Sequence, residues 1–146
     1  MIVEFKPDPT QSEPKITITA AELTEELNEL LLRLEHGRPT AITATRGDRV
    51  VLLAPEHILR FFADGKAVSV QTEDGMFSVR QRLYELEELL DRHKFARISY
   101  SEIVNLSHVT ALDLNLSGTI RMTLTGGVTC FVSRRCLKKI KQALDL

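Results

Sequence analysis

No apolar run among the 146 residues approaches the roughly 20 needed to cross a bilayer as a helix. The N-terminus, MIVEFKPDPTQSEPK, has no basic region followed by an apolar stretch. No signal peptide is therefore expected, and the chain reads as cytoplasmic. Cysteine is scarce: Cys130 and Cys136 are the two present, and their spacing is not the C-x-x-C of a zinc or redox site. If Cys130 lies on a strand and Cys136 on the helix after it, both read as small core fillers in a reducing compartment. The four histidines, His36, His57, His93 and His108, are scattered, with no H-x-x-x-H pair. No G-x-S-x-G, P-loop or G-x-G-x-x-G motif occurs. No metal, cofactor or catalytic centre is expected. Internal repeats, low-complexity tracts and long linkers are also missing. What remains is ordinary globular composition, 43% hydrophobic and 27% charged, in a length that suits one domain or one domain with an extension.

Net charge is also nearly absent, at −1, but that total hides a gradient. Residues 1–57 carry 6 Lys/Arg against 10 Asp/Glu, and residues 58–146 carry 13 against 10. The last thirty residues hold Arg121, Arg134, Arg135, Lys138, Lys139 and Lys141 against Asp145 alone. Such asymmetry points to an anionic partner at one end. The sharpest anomaly is FVSRRCLKKIKQAL, residues 131–144. It reads as a helix with Arg134 and Arg135 in its first turn. Cations there oppose the helix dipole by roughly 0.3–1 kcal/mol each when exposed.

Hydrophobic periodicity gives the elements. Residues 2–5 and 15–19 read as extended pieces around the PDPTQSEP loop. Thr19 and Glu22 form a T-x-x-E capping pattern ahead of a helix. Leu23, Leu27, Leu30, Leu31 and Leu34 make its apolar stripe, and Gly37 with Pro39 makes its stop. From Ala41 the period becomes that of strands. AITATRGDRVVLLA reads as a hairpin, in which Arg46-Gly47-Asp48 is a turn rather than an adhesion motif. Residues 58–79 read as a meander turning at Asp64-Gly65 and Asp74-Gly75. A short helix follows, with Leu83, Leu86 and Leu90 inward and an acidic, solvated surface. Further strands run through 95–106, 109–116, 119–125 and 128–132, turning at Ser117-Gly118 and Gly126-Gly127. The last helix should bury Leu137, Ile140 and Leu144. The fold class expected is mostly β with short helices, α+β.

Three stretches together resemble one family, the LytTR DNA-binding domain of bacterial transcription regulators. They are HILRFFADGKAVSVQTEDG, then FARISYSEIVNLSHV, then GTIRMTLTGGVTCFVSRRCLKKIKQAL. They lie within residues 41–146, leaving residues 1–40 as a strand–helix extension and candidate dimerisation element. A receiver domain of roughly 100 residues or more has no room here, so the chain resembles the stand-alone LytTR regulators. The resemblance implies an elongated stack of small antiparallel sheets. It implies double-stranded DNA as partner, bound at direct repeats through loops in successive major grooves. A small regulatory membrane protein encoded nearby is implied as a further partner.

The resemblance also implies a set of contacts. Arg135 matches the base-reading arginine of V-S-R-R; bidentate arginine on guanine discriminates by about 1–3 kcal/mol. Ser133 stands where it can cap the helix or bond a phosphate oxygen, Arg134 joins a phosphate-attracting helix start, and Lys138 suits a phosphate one turn on. The second loop is Arg97, Ser99, Tyr100 and Ser101; Arg97 reads equally as an internal ion-pair partner. Lys66 in the third loop reaches a base or only a phosphate. Asn105 fits the signature but reads as a turn-holding residue. Tyr100 departs from the small amide or basic residue common there, and Cys136 from a common aromatic.

A different class of function stays open: a non-DNA-binding interaction module regulating a partner. The leucine stripe serves that reading as well as a homodimer that places two domains on two repeats. It also fits packing within one chain.

Overall fold

A computed structural model describes residues 1–37, 41–114 and 120–146. The chain forms two compact units, Met1–Glu35 and His36–Leu146.

In the first unit, residues 2–5 and 15–19 form no strand. Their sequence favours extension, but a strand needs a ladder to satisfy its main chain, and none is present among the described residues. The loop between them bends at Asp8, whose Oδ1 accepts from the Thr10 N–H at 3.0 Å and the Thr10 hydroxyl at 2.7 Å. The extension is thus a helix without its expected strands. That helix, α1 (Glu25–His36), also starts later than the Thr19–Glu22 pattern suggested. Thr24 opens it, its Oγ1 accepting from the Leu27 N–H at 3.2 Å, the bond of an N-cap to the third helical residue. Leu23 is left outside the helix and exposed. Leu27, Leu30 and Leu31 are half-buried, and Leu34 is exposed. Gly37 follows α1 at φ 70°, the left-handed conformation that ends helices. Pro39 and the Ser117-Gly118 turn lie outside the described residues.

The second unit is built from short strands because turn residues recur every few positions. The hairpin of β1 (Ile42–Arg46) and β2 (Arg49–Leu53) closes at Gly47. The meander of β3 (Ile58–Asp64), β4 (Ala67–Thr72) and β5 (Gly75–Val79) turns at Gly65 and Gly75. Helix α2 (Leu83–Leu89) leads to β6 (Phe95–Ser99) and β7 (Glu102–Asn105). Then come β8 (Val109–Leu114), β9 (Ile120–Leu124), β10 (Val128–Val132) and α3 (Arg134–Ala143). The strands make two antiparallel sheets. One has seven strands in the order β2-β1-β5-β4-β3-β7-β6, and the other three in the order β10-β9-β8.

Successive residues of a strand face opposite sides, and β3, β7 and β6 are buried on both. On one side Ile58, Phe61, Ile103 and Phe95 pack with Leu83, Leu86 and Leu90 of the α2 segment. On the other, Leu59, Val104, Ala96 and Ile98 pack with Ile120, Met122, Leu124, Cys130, Val132 and Ile140. A bulge between Ile58 and Arg60 lets Ile58 and Phe61, three apart, share a side. Ile140 is fully buried, and Leu137 and Leu144, partly buried, pack against the same cluster, as the helical spacing predicts. Leu112 packs on the same cluster, whereas Leu114 is exposed. Among the described residues no helix is long and apolar enough to cross a membrane.

Candidate nucleic-acid interface

The turn between β6 and β7 is a hub joined to its neighbours by main-chain hydrogen bonds. The Ala63 N–H, near the end of β3, donates to Ser101 O at 2.9 Å. The Ser133 N–H, at the entrance to α3, donates to Ile98 O at 2.8 Å. Three loops distant in sequence are thereby held side by side: the Gly65 turn carrying Lys66, the β6–β7 turn and the start of α3.

Arg97 organises the hub. Its Nε donates to Ser99 O and its Nη1 to Glu87 Oε2 on α2, both at 2.9 Å, and its Nη2 donates to Tyr100 O. A bulge between Arg97 and Ser99 accompanies this turn. The Ser101 N–H donates to Ser99 Oγ at 3.3 Å, while Tyr100 stands out, 83% exposed. Asn105 braces the far end of β7. Its Oδ1 accepts from the Ser107 N–H at 3.0 Å, and its Nδ2 donates to Ile58 O at 2.8 Å and Pro55 O at 3.3 Å. It is a buried residue that holds a turn through side-chain bonds to backbone, as its residue type suggests.

At α3 the serine departs from expectation. Ser133 occupies the N-cap position, but its Oγ caps nothing and is buried without a partner among the described residues. Reaching a phosphate requires that side chain to rotate. Arg134, Arg135 and Lys138 are exposed. The alternative that they pair with the acidic side of α2 is not realised: among the described residues none of the three makes an ion pair, nor does Lys66. Other cations do have internal partners. Arg60 bonds Gln71 and Glu102, Arg121 meets Asp113 at 3.0 Å, and Arg46 lies over the Phe77 ring while bonding Asp74 O. The RGD turn is thus a structural hairpin end.

Lys66, Arg97, Ser99, Tyr100 and Arg135 line one open groove of about 940 Å³. No carboxylate is among its lining residues, although the chain as a whole is slightly acidic. Two lining residues were missed from sequence: Arg82 and Tyr84, beside the start of α2, both exposed. The signal that marked Arg134 and Arg135, a cation at a helix start, is present at Arg82 as well. There the Arg82 N–H donates to Glu85 Oε1 at 3.2 Å, and the side chain is left to the groove. Cys136 also lines the groove and is half-buried; Cys130 lies in the core. Burial pushes the Cys130 thiol up to about 12, so it stays neutral at ordinary pH. Both thiols are free.

The family model described as "LytTr DNA-binding domain" matches residues 48–145. Relatives in Staphylococcus aureus strains NCTC 8325 and COL, named HTH-type transcriptional regulators, are 42% identical over 89 residues. The matched stretch is 61% of this chain and 60% of each relative, so the chain spans less than two thirds of their length. In this chain strands separate α1 from α2 and α2 from α3 among the described elements. A solved LytTr DNA-binding domain from Bacillus cereus matches the fold with a TM-score of 0.70 at 22% identity, covering 74% of this chain and 99% of that one.

Proposed function

The chain belongs to the LytTr DNA-binding domain family, and on that premise we propose that it is a sequence-specific transcription regulator, acting by binding rather than catalysis. One observation carries the reading. The fold gathers Lys66, Tyr100 and Arg135, from three separate loops, onto a groove whose lining has cations and no carboxylate. A polyanion is the ligand such a surface attracts.

In this reading Arg135 reads a base, and its lack of an ion pair lets it do so without breaking one. Arg134 and Lys138 neutralise phosphates beside the helix start. Tyr100 reaches the DNA by its phenol, which both donates and accepts. Ser99 and Ser101 line its approach, and Arg97 shapes the turn. Lys66 contacts a base or phosphate from the third loop, and Arg82 with Tyr84 extends the backbone contact. Ser133 joins only by rotating its hydroxyl outward. The loops enter successive major grooves at direct repeats.

A homodimer through Leu23, Leu27, Leu30, Leu31 and Leu34 and control by a small membrane protein complete the proposal. The incompletely buried leucines also support the second reading, an interaction module that acts on a partner without DNA.

The test is binding to DNA fragments upstream of the protein's own coding region, at two salt concentrations, with wild type and Arg135→Ala. Tight binding to one fragment, weakened by salt and lost in the variant, supports the regulator. Equal, weak binding to every fragment favours the interaction module. Sedimentation across a concentration series tests the dimer.

A further inference from the structure

Arg97 falls within the family signature, yet its contacts point inward. Each of its three guanidinium nitrogens donates to a protein acceptor: Ser99 O, Glu87 Oε2 and Tyr100 O. Two of these acceptors are consecutive main-chain carbonyls of the segment that carries Ser99, Tyr100 and Ser101, leaving out only Ser101. The third belongs to α2. The Arg97 guanidinium lies 6.0 Å from the Tyr100 ring, at the outer limit of a cation–π contact. It therefore grips the turn by its backbone and leaves the phenol free to project.

We propose that Arg97 and Glu87 are a positioning pair. Glu87 orients the guanidinium, the guanidinium fixes the Ser99 and Tyr100 carbonyls, and the turn presents its side chains to DNA at a set angle. The inference rests on the DNA-reading function proposed above. It makes α2 a determinant of sequence preference through a residue that touches no base.

Exposure separates this role from a merely structural one. The Arg97 side chain is 20% exposed and that of Glu87 42%. An ion pair to a carboxylate this exposed contributes little to folding, whereas the two bonds from Arg97 to main-chain carbonyls also brace the turn. Removing the Glu87 carboxylate alone therefore acts on the geometry of one turn, and so on discrimination between DNA sequences rather than on stability.

The experiment measures affinity for the operator and for a scrambled duplex across a salt series, with urea unfolding alongside. The variants are Glu87→Gln, Arg97→Gln and the double. Glu87→Gln is expected to keep the urea midpoint and the salt slope while the operator-to-scrambled ratio falls about three- to tenfold, the scale of coupling within one bonded network. The double variant should be no worse than the poorer single. Unchanged discrimination in Glu87→Gln overturns the pair. So does a salt slope reduced by about 0.9 in Arg97→Gln, which identifies a phosphate contact instead. Should Arg97→Gln destabilise the fold, Glu87→Gln alone decides. A wild type with no operator preference overturns the regulator reading together with the pair; a selective wild type beside an equally selective Glu87→Gln overturns the pair alone.

Discussion

The β6–β7 turn and the start of α3 border one groove, and each brings arginine to it. Arg97 is bonded through all three nitrogens to its own chain, whereas Arg134 and Arg135 make no ion pair among the described residues. One residue type does two jobs. An arginine with its acceptors already in place stiffens a loop, and one without them is available to a ligand. The difference comes from what surrounds each site, since α2 offers Glu87 to the first and no carboxylate to the second.

Substitutions can break this contrast or sharpen it. The largest effect is expected from Arg135→Ala, which should reduce operator discrimination by about 1–3 kcal/mol. Its urea stability should stay within about 0.5 kcal/mol of wild type. Arg97→Ala should also lower discrimination but, unlike Arg135→Ala, should lower the urea midpoint with it, since losing hydrogen bonds from a charged group costs about 1–3 kcal/mol. If both variants behaved alike in both measurements, the division between them would fail. Lys138→Ala should weaken binding to all duplexes equally and lower the salt slope by about 0.9.

The smallest effect lies in the core, at Cys130. Burial holds the Cys130 proton on in the folded chain up to about pH 12, while the unfolded thiol releases it near its ordinary value of 9.0. Its contribution to stability is complete below pH 9 and declines as pH rises toward 12. At pH 10 the decline should be about 1 kcal/mol. Comparing urea midpoints at pH 8 and pH 10, with Cys130→Ala as the control, isolates it.

Much of the second unit was legible in the sequence. Gly47, Gly65 and Gly75 mark turns that the structure makes, and the inward faces at Leu83, Leu86 and Leu90 and at Ile140 follow their spacing. Local signals sufficed because turn geometry and helical period are local properties. Arg97 was undecided for the opposite reason: its partner Glu87 is ten residues away on another element, and only packing brings them together. The N-terminal strands failed because β-propensity supplies no partner strand. The start of α1 was misplaced because Thr19 and Thr24 both offer a capping hydroxyl, and the one at Thr24 is used. Arg82 and Tyr84 stand outside the basic last thirty residues, and only packing brings them to the groove. The gathering of Lys66, Tyr100 and Arg135 was expected from family resemblance; neither spacing nor composition states it.

The bonds that hold the three loops together, Ala63 N–H to Ser101 O and Ser133 N–H to Ile98 O, involve no side-chain atom. Every amino acid except proline supplies the donor at positions 63 and 133, and every amino acid supplies the acceptor at 98 and 101. The scaffold's clamps are therefore blind to the side chains at the positions proposed to meet DNA. Lys66, Tyr100, Arg134 and Arg135 can be rewritten, singly or together, without touching either clamp. A binding preference built this way can be reprogrammed within an inherited framework, whether by drift or by design.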